Sequence, residues 1–376
     1  MSNFYYLENK QNDLCYISLN YALAGRIYAN ENAIYAQYLY NEGLSDSFLK
    51  KLQIRAIEMY ADIGFFDFGI NMLCLKKELD YALKALEESL NNLNYDNLDL
   101  VAFKIKSDFA LENDNNNSLS AMNLMQNYFK NGFKNGYFAD YQNYKLNDIK
   151  NYFDSLKTKP LRIVASANLN AVQEEKLKNL SKEISFDYEK LEINASFDYG
   201  LNKDISQSFI TFVCPLIMHT LKDSACAKIL SFILGGGFGS LLMEEIRVKK
   251  GLAYSVYAHT LSYKNNHTLK GAVQTKNESK EEVKKIILDI LNNNELITKE
   301  HFLKAKEYII GSEVLQYQTI AKRHTIAQSE IFSNKKLSYN KELLECIKNT
   351  DFDDFKENIK KQDLSKVCFF TVGKNG

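Results

Sequence analysis

The 376-residue chain carries 47 basic and 47 acidic side chains, so it has no net charge, and its 45% apolar and 25% charged residues are those of a globular protein. That balance excludes the broad positive field of a nucleic-acid binder or anionic-membrane binder. No apolar run reaches the roughly eighteen residues that a membrane span needs, and the length predicts two domains.

The opening MSNFYYLENKQND has no basic start followed by an apolar core, so the sequence reads as cytoplasmic; removal of a signal peptide beforehand would make it periplasmic. The six cysteines (Cys15, Cys74, Cys214, Cys226, Cys346, Cys368) show no CxxC spacing, and several sit in apolar runs, which predicts buried free thiols. Tyr16–Asn20 reads as a strand, and Ala33–Tyr40 as an apolar helix that stops before Gly43. An amphipathic helix closes at Leu90-Asn91-Asn92, a polar loop covers 112–117, and Leu161–Val164 is a strand. The weakly periodic stretch 186–204 reads as a linker between domains at 1–185 and 205–376.

The second half repeats this order. Strand Phe209–Val213 matches Tyr16–Asn20, Leu291-Asn292-Asn293 matches Leu90-Asn91-Asn92, Asp351-Phe352-x-x-Phe355 matches Asp148-Ile149-x-x-Tyr152, and Val367–Phe370 matches Leu161–Val164. The offsets climb from 193 through 201 and 203 to 206, as a duplicated fold with small insertions would give. The expected fold class is α+β: two homologous domains, each an antiparallel-rich sheet covered on one face by helices.

The most informative stretch runs from Leu234 to Tyr254, LGGGFGSLLMEEIRVKKGLAY. Gly235, Gly236, Gly237 and Gly239 allow positive φ and close backbone approach. A helix follows from Ser240, Lys249 and Lys250 suit its last turn, and Gly251 suits its C′ position. A strand then begins at Ala253. No strand feeds the glycines and no Gly-Lys-Ser/Thr follows, so a phosphate loop is disfavoured.

This string resembles the second-domain signature of pitrilysin-type (inverzincin) zinc metallopeptidases, and the stretch 134–169 resembles the end of their first domain. The resemblance implies that Arg247 and Tyr254, seven residues apart, bind the substrate backbone and help stabilise the tetrahedral transition state. It also places Gly235, Gly236, Gly237 and Gly239 where processing-peptidase relatives carry a substrate-recognition loop. An active member needs H-x-x-E-H on the first-domain helix, two His for zinc and a Glu as general base. Counting back from Gly43, those positions hold Ile34, Gln37 and Tyr38, and the region of the third ligand falls near Asp108–Glu112. The five histidines (His219, His259, His267, His301, His324) all lie in the second half without H-x₃-H spacing.

The expectation is therefore a chain without cofactor, with Zn²⁺ in a homologous zinc-bearing partner. The chain would be the non-catalytic, substrate-binding subunit of a heterodimeric metalloendopeptidase, inactive alone, acting on peptides or unfolded polypeptides and lending Arg247 and Tyr254 in trans. The alternative is a stand-alone peptide-binding pseudopeptidase or scaffold.

Overall fold

The computed structural model describes residues 3–130, 144–188, 191–194 and 196–374; the part of the stretch 134–169 that precedes Tyr144 lies outside them. The first half of the chain gives β1 (Phe4–Glu8), β2 (Leu14–Ala22), α1 (Arg26–Glu42), α2 (Asp46–Gln53), β3 (Glu58–Ile63), β4 (Asp67–Leu75), α3 (Leu79–Glu88), α4 (Leu98–Asp114), α5 (Asn116–Tyr128), α6 (Leu146–Leu156), β5 (Leu161–Ala167) and α7 (Ala171–Leu180). The second gives β6 (Asp198–Asn202), β7 (Gln207–Leu216), α8 (Leu221–Gly235), a π-helical segment Met243–Lys249, β8 (Ala253–Tyr263), β9 (Asn266–Lys276), α9 (Lys280–Leu291), α10 (Lys299–Gln316), α11 (Ile320–Phe332), α12 (Tyr339–Asn349), α13 (Phe352–Ile359) and β10 (Cys368–Gly373).

The strands form two five-stranded sheets, ordered β1-β5-β2-β4-β3 and β6-β10-β7-β9-β8. In each, the first pair is parallel and the rest antiparallel. Tyr16–Asn20 and Phe209–Val213 both fall in the middle strand of their sheets. One face of the first sheet packs Ile17, Leu19, Ile70 and Ile163 against Ala33–Tyr40 of α1 and Ile149–Phe153 of α6. The equivalent face of the second packs Ile210, Phe212, Leu269 and Val273 against Ala225–Leu234 of α8.

The opposite faces carry one further helix each, drawn from the other half of the sequence. Two compact units result: Met1–Ala110, Gly132–Glu189 and Gln316–Ser338 in one; Leu111–Asn131, Lys190–Leu315 and Tyr339–Gly376 in the other. In the first, Ala327 and Ile331 of α11 pack on Val164 of β5, so all seven β5 residues are buried. Such a strand reads as a continuous run rather than an alternation. Polar groups fix α11 in register. His324, 5% exposed, bridges Ser18 Oγ and Ser166 Oγ at 2.9 Å each. Arg162, 4% exposed, donates to Asn20 Oδ1 and Tyr188 Oη at 2.6 Å and to the Ile331 carbonyl at 2.9 Å. A buried guanidinium is tolerated because its donors find partners. In the second unit, Ser120 of α5 meets Thr211 Oγ1 of β7 at 2.9 Å and donates to the Phe370 carbonyl of β10 at 2.8 Å.

The stretch 186–204 takes part in both units. Tyr188 is buried and donates to Asp67 Oδ1 at 2.6 Å, and β6 is an edge strand of the second sheet. The six cysteines are free thiols, five of them buried. Among the described residues, no helix is long and apolar enough to cross a membrane.

Candidate functional site

Helix α1 ends at Gly43, whose N–H closes on the Leu39 carbonyl at 2.8 Å. Ala33, Ile34, Tyr35, Ala36, Leu39 and Tyr40 are buried, so the sheet-facing side of α1 is filled by apolar side chains. A spacing of four puts Ile34 and Tyr38 on one helix face. Ile34 is in the core, and the Tyr38 hydroxyl donates to Asp108 Oδ2 of α4 at 2.9 Å. An aliphatic side chain, an amide and a phenol already bonded to a carboxylate do not fit zinc, which takes imidazole, thiolate and free carboxylate ligands. Among the described residues, no group of three or more His, Cys, Asp or Glu side chains could hold a metal ion.

The second unit builds the other constellation. Helix α8 begins with a capping box, Thr220 and Asp223 each bonding the other's backbone N–H, and runs into the glycines. The four glycines serve different ends. A Cβ on Gly235 would lie 2.3 Å from the Ala258 backbone nitrogen, so Gly235 lets α8 lie directly on β8. One on Gly236 would meet Phe232 of its own helix at 2.5 Å. Only Gly239 has positive φ, at +87°. The turn from Gly236 to Gly239 is the accessible part, and it holds out Phe238, 87% exposed. Behind it, a cavity of about 390 Å³ is lined by Phe238, Gly239, Ser240, Glu244 and His301 among others. The Ser240 hydroxyl, buried in its wall, has no hydrogen-bond partner among the described residues.

The segment after the turn anchors through Leu242 and Ile246, both fully buried, and is π-helical from Met243 to Lys249. It stops in an αL turn: Gly251 at φ +63° donates to the Arg247 carbonyl at 3.0 Å, and Leu252 to the Ile246 carbonyl at 2.9 Å. Strand β8 then starts with a bulge. Ala253 opposes Thr275 and Val256 opposes Val273, so three steps on β8 match two on β9. The bulge falls at Tyr254 and Ser255 and turns Tyr254 outward, leaving it 83% exposed.

Stop and bulge together bring Arg247 and Tyr254 side by side. The guanidinium carbon lies 5.1 Å from the Tyr254 ring centroid and 5.4 Å from that of Phe238, within cation–π range of both. Among the described residues, Arg247 has no carboxylate partner and makes no side-chain hydrogen bond, and neither does the Tyr254 hydroxyl. A planar cation with free N–H donors beside a free phenol can grip carbonyl oxygens and donate to a developing oxyanion. Phe238 escaped the sequence reading; the signal was a large aromatic side chain at the exposed centre of a glycine run.

The geometry agrees with what the chain resembles. Residues 144–309 match the family model described as "Peptidase M16 inactive domain". The non-peptidase homolog YmxG of Helicobacter pylori is 30% identical over 364 residues, which cover 90% of this chain and 83% of YmxG. Among solved structures, a peptidase M16 inactive domain from Pseudomonas fluorescens superposes with a TM-score of 0.85 at 17% identity, covering 99% of this chain and 95% of that one. A protease from Helicobacter pylori superposes with a TM-score of 0.79 at 14% identity, covering 98% and 96%. The last two show the fold, and YmxG shows the lineage. At 30% identity over most of both chains, and with the inactive-domain match, the chain belongs to the peptidase M16, or pitrilysin-type, family as a non-catalytic member.

Proposed function

We propose that this chain is the substrate-binding subunit of a heterodimeric zinc metalloendopeptidase and that it lends Arg247 and Tyr254 to the zinc site of a homologous partner. The observation that carries this reading is the free state of the pair: an exposed phenol beside a half-buried guanidinium, answered by no acceptor among the described residues. A scaffold needs no such arrangement.

The division of labour follows from the chemistry. Zinc on the partner would polarise the scissile carbonyl and activate water. Arg247 grips carbonyl oxygens of the bound peptide as a planar fork, held against Phe238 and Tyr254. The Tyr254 hydroxyl donates to oxygen as charge builds on it in the transition state. The glycine turn Gly236–Gly239 offers exposed backbone to an extended peptide, and Gly235 fixes that turn on β8. The first unit has a structural role.

The test is reconstitution. Mixing the purified chain with an H-x-x-E-H-bearing homologue from the same cell should yield a one-to-one complex that cleaves peptides, while this chain alone does not. A complex with no gain in cleavage over the partner alone would favour the stand-alone pseudopeptidase or scaffold.

A further inference from the structure

On the second sheet, the face opposite the α8 core is only partly covered. Thr211 marks it, because Ser120 of α5 bonds its hydroxyl there. Thr211 stands opposite Ala272, and Ala272 opposite Tyr257. Two residues along on the same face, Val213 stands opposite Lys270, and Lys270 opposite His259. Helix α5 packs on β7 and β10, leaving exposed Tyr257 and His259 on the edge strand β8 and half-buried Lys270 on β9.

Lys270 and His259 are thus direct cross-strand neighbours that both carry positive charge when protonated. Like charges at such positions repel, and a third group normally compensates them. None is present among the described residues. The same-face neighbours Tyr257, Leu261, Thr268, Ala272, Val213 and Pro215 are uncharged, and α5, Asn116–Tyr128, carries no acidic residue. Among the described residues, neither Lys270 nor His259 has an ion-pair partner. Burial holds both side chains below their ordinary pKa values, with the Lys270 charge adding to the effect on His259. The Tyr257 ring stacks on His259 with centroids 5.9 Å apart at 17°. The result is a lysine cation beside an imidazole that is mostly neutral near pH 7, with an aromatic wall on an open sheet face, electrostatically incomplete by itself. It lies on the strand that holds out Tyr254, five residues and about 16 Å along β8.

We propose that Lys270 and His259, walled by Tyr257, form a subsite for an acidic side chain of the peptide that Arg247 and Tyr254 grip. This rests on the peptide-binding role proposed above and assigns it a substrate class: peptides with a Glu or Asp a few residues from the segment at Arg247. Charge complementarity selects the ligand, since a carboxylate supplies what the face lacks and accepts hydrogen bonds from both groups.

The test uses the full chain alone and two acetylated, amidated decapeptides that differ only in Glu against Gln at one position, scanned along the peptide. At one register the Glu peptide should bind about tenfold more tightly, and the preference should shrink as salt rises. Lys270→Gln and His259→Gln, singly and together, should erase the preference. Arg247→Ala should weaken both peptides and leave their ratio unchanged, which separates this subsite from the Arg/Tyr reading. Because Lys270→Gln removes a repulsive charge, its melting temperature should be unchanged or higher, so loss of preference with intact folding counts for the proposal. Equal binding of the two peptides at every register would overturn it, as would a preference that survives in the double variant. Competition by inorganic phosphate at concentrations comparable to the peptide would also overturn it, showing a site for small anions.

Discussion

Helix α1 and the glycine turn with its following bulge, the two parts of this chain that the proposed function sets against the family's catalytic segments, are built in opposite ways. On α1, Ile34 sits in the core and Tyr38 is bonded to Asp108. Around the turn, Phe238 and Tyr254 are exposed and Arg247 is half-buried, and neither the Arg247 guanidinium nor the Tyr254 hydroxyl has a hydrogen-bond acceptor among the described residues. Loss of a metal site leaves polar positions that must find new partners or become apolar, because unpaired buried groups cost stability. α1 has done both. Solvent-accessible donors are under no such pressure, and in the proposed function their acceptor is supplied by another molecule. Side chains bonded within the chain turn inward; the donors proposed to serve a complex turn outward and are unanswered among the described residues.

Four substitutions or conditions probe that contrast, in falling order of effect. Arg247→Ala in the reconstituted pair should lower kcat/KM by about 10³, with KM rising as well as kcat falling, since the guanidinium grips substrate before the transition state. An effect confined to folding, seen as a lowered melting temperature, would remove Arg247 from the outward class.

The second probe is pH. His324 is fully inward, and burial pushes its pKa from 6.5 down to about 4. The unfolded chain then binds a proton that the folded chain refuses, so the contribution is present above pH 6.5 and is lost as pH falls towards 4. About 3 kcal/mol should disappear across that window, readable as a falling urea midpoint. His324→Gln should flatten this part of the profile, and an unchanged slope would show that other groups set it.

Tyr38→Phe comes third. It removes the bond to Asp108 and should cost about 1 kcal/mol of stability, with no effect on turnover by the pair. A loss of turnover would mean that the former zinc face still works. Smallest is Phe238→Ala, which removes one ring of the cation sandwich. It is worth about 0.5–1 kcal/mol, a two- to fivefold rise in KM at unchanged kcat.

Much of this was legible in the sequence. The paired order of elements was readable because each sheet places its matching strand at the centre, where apolar residues run together. The stop at Gly251 was readable because only glycine takes its left-handed φ without strain. The exchange of α5 and α11 was not. Their residues NNSLSAMNLMQNY and IAKRHTIAQSEIF have no strong apolar stripe, because each meets its sheet partly through polar groups such as Ser120 and His324. Those contacts join residues far apart in the chain, which local periodicity does not register. For the same reason the stretch 186–204 looked like a linker although Tyr188 and β6 are packed within the units. At the site, the residue types at 247 and 254 were readable. Their proximity depends on a π-helical segment and a bulge that have no fixed sequence signature, and the glycine run hid the difference between Gly235, which packs, and Gly239, which turns.

The central claim, that this chain supplies transition-state donors to another subunit's site, is tested most directly by Tyr254→Phe in the reconstituted pair. The ring and its contact with Arg247 remain, so complex formation and melting temperature should match those of the unaltered chain. The measurement is kcat on a peptide substrate at saturating concentration. The account predicts a fall of about 10²–10³ with KM little changed. Wild-type kcat in a fully formed complex would contradict it and leave the chain a scaffold.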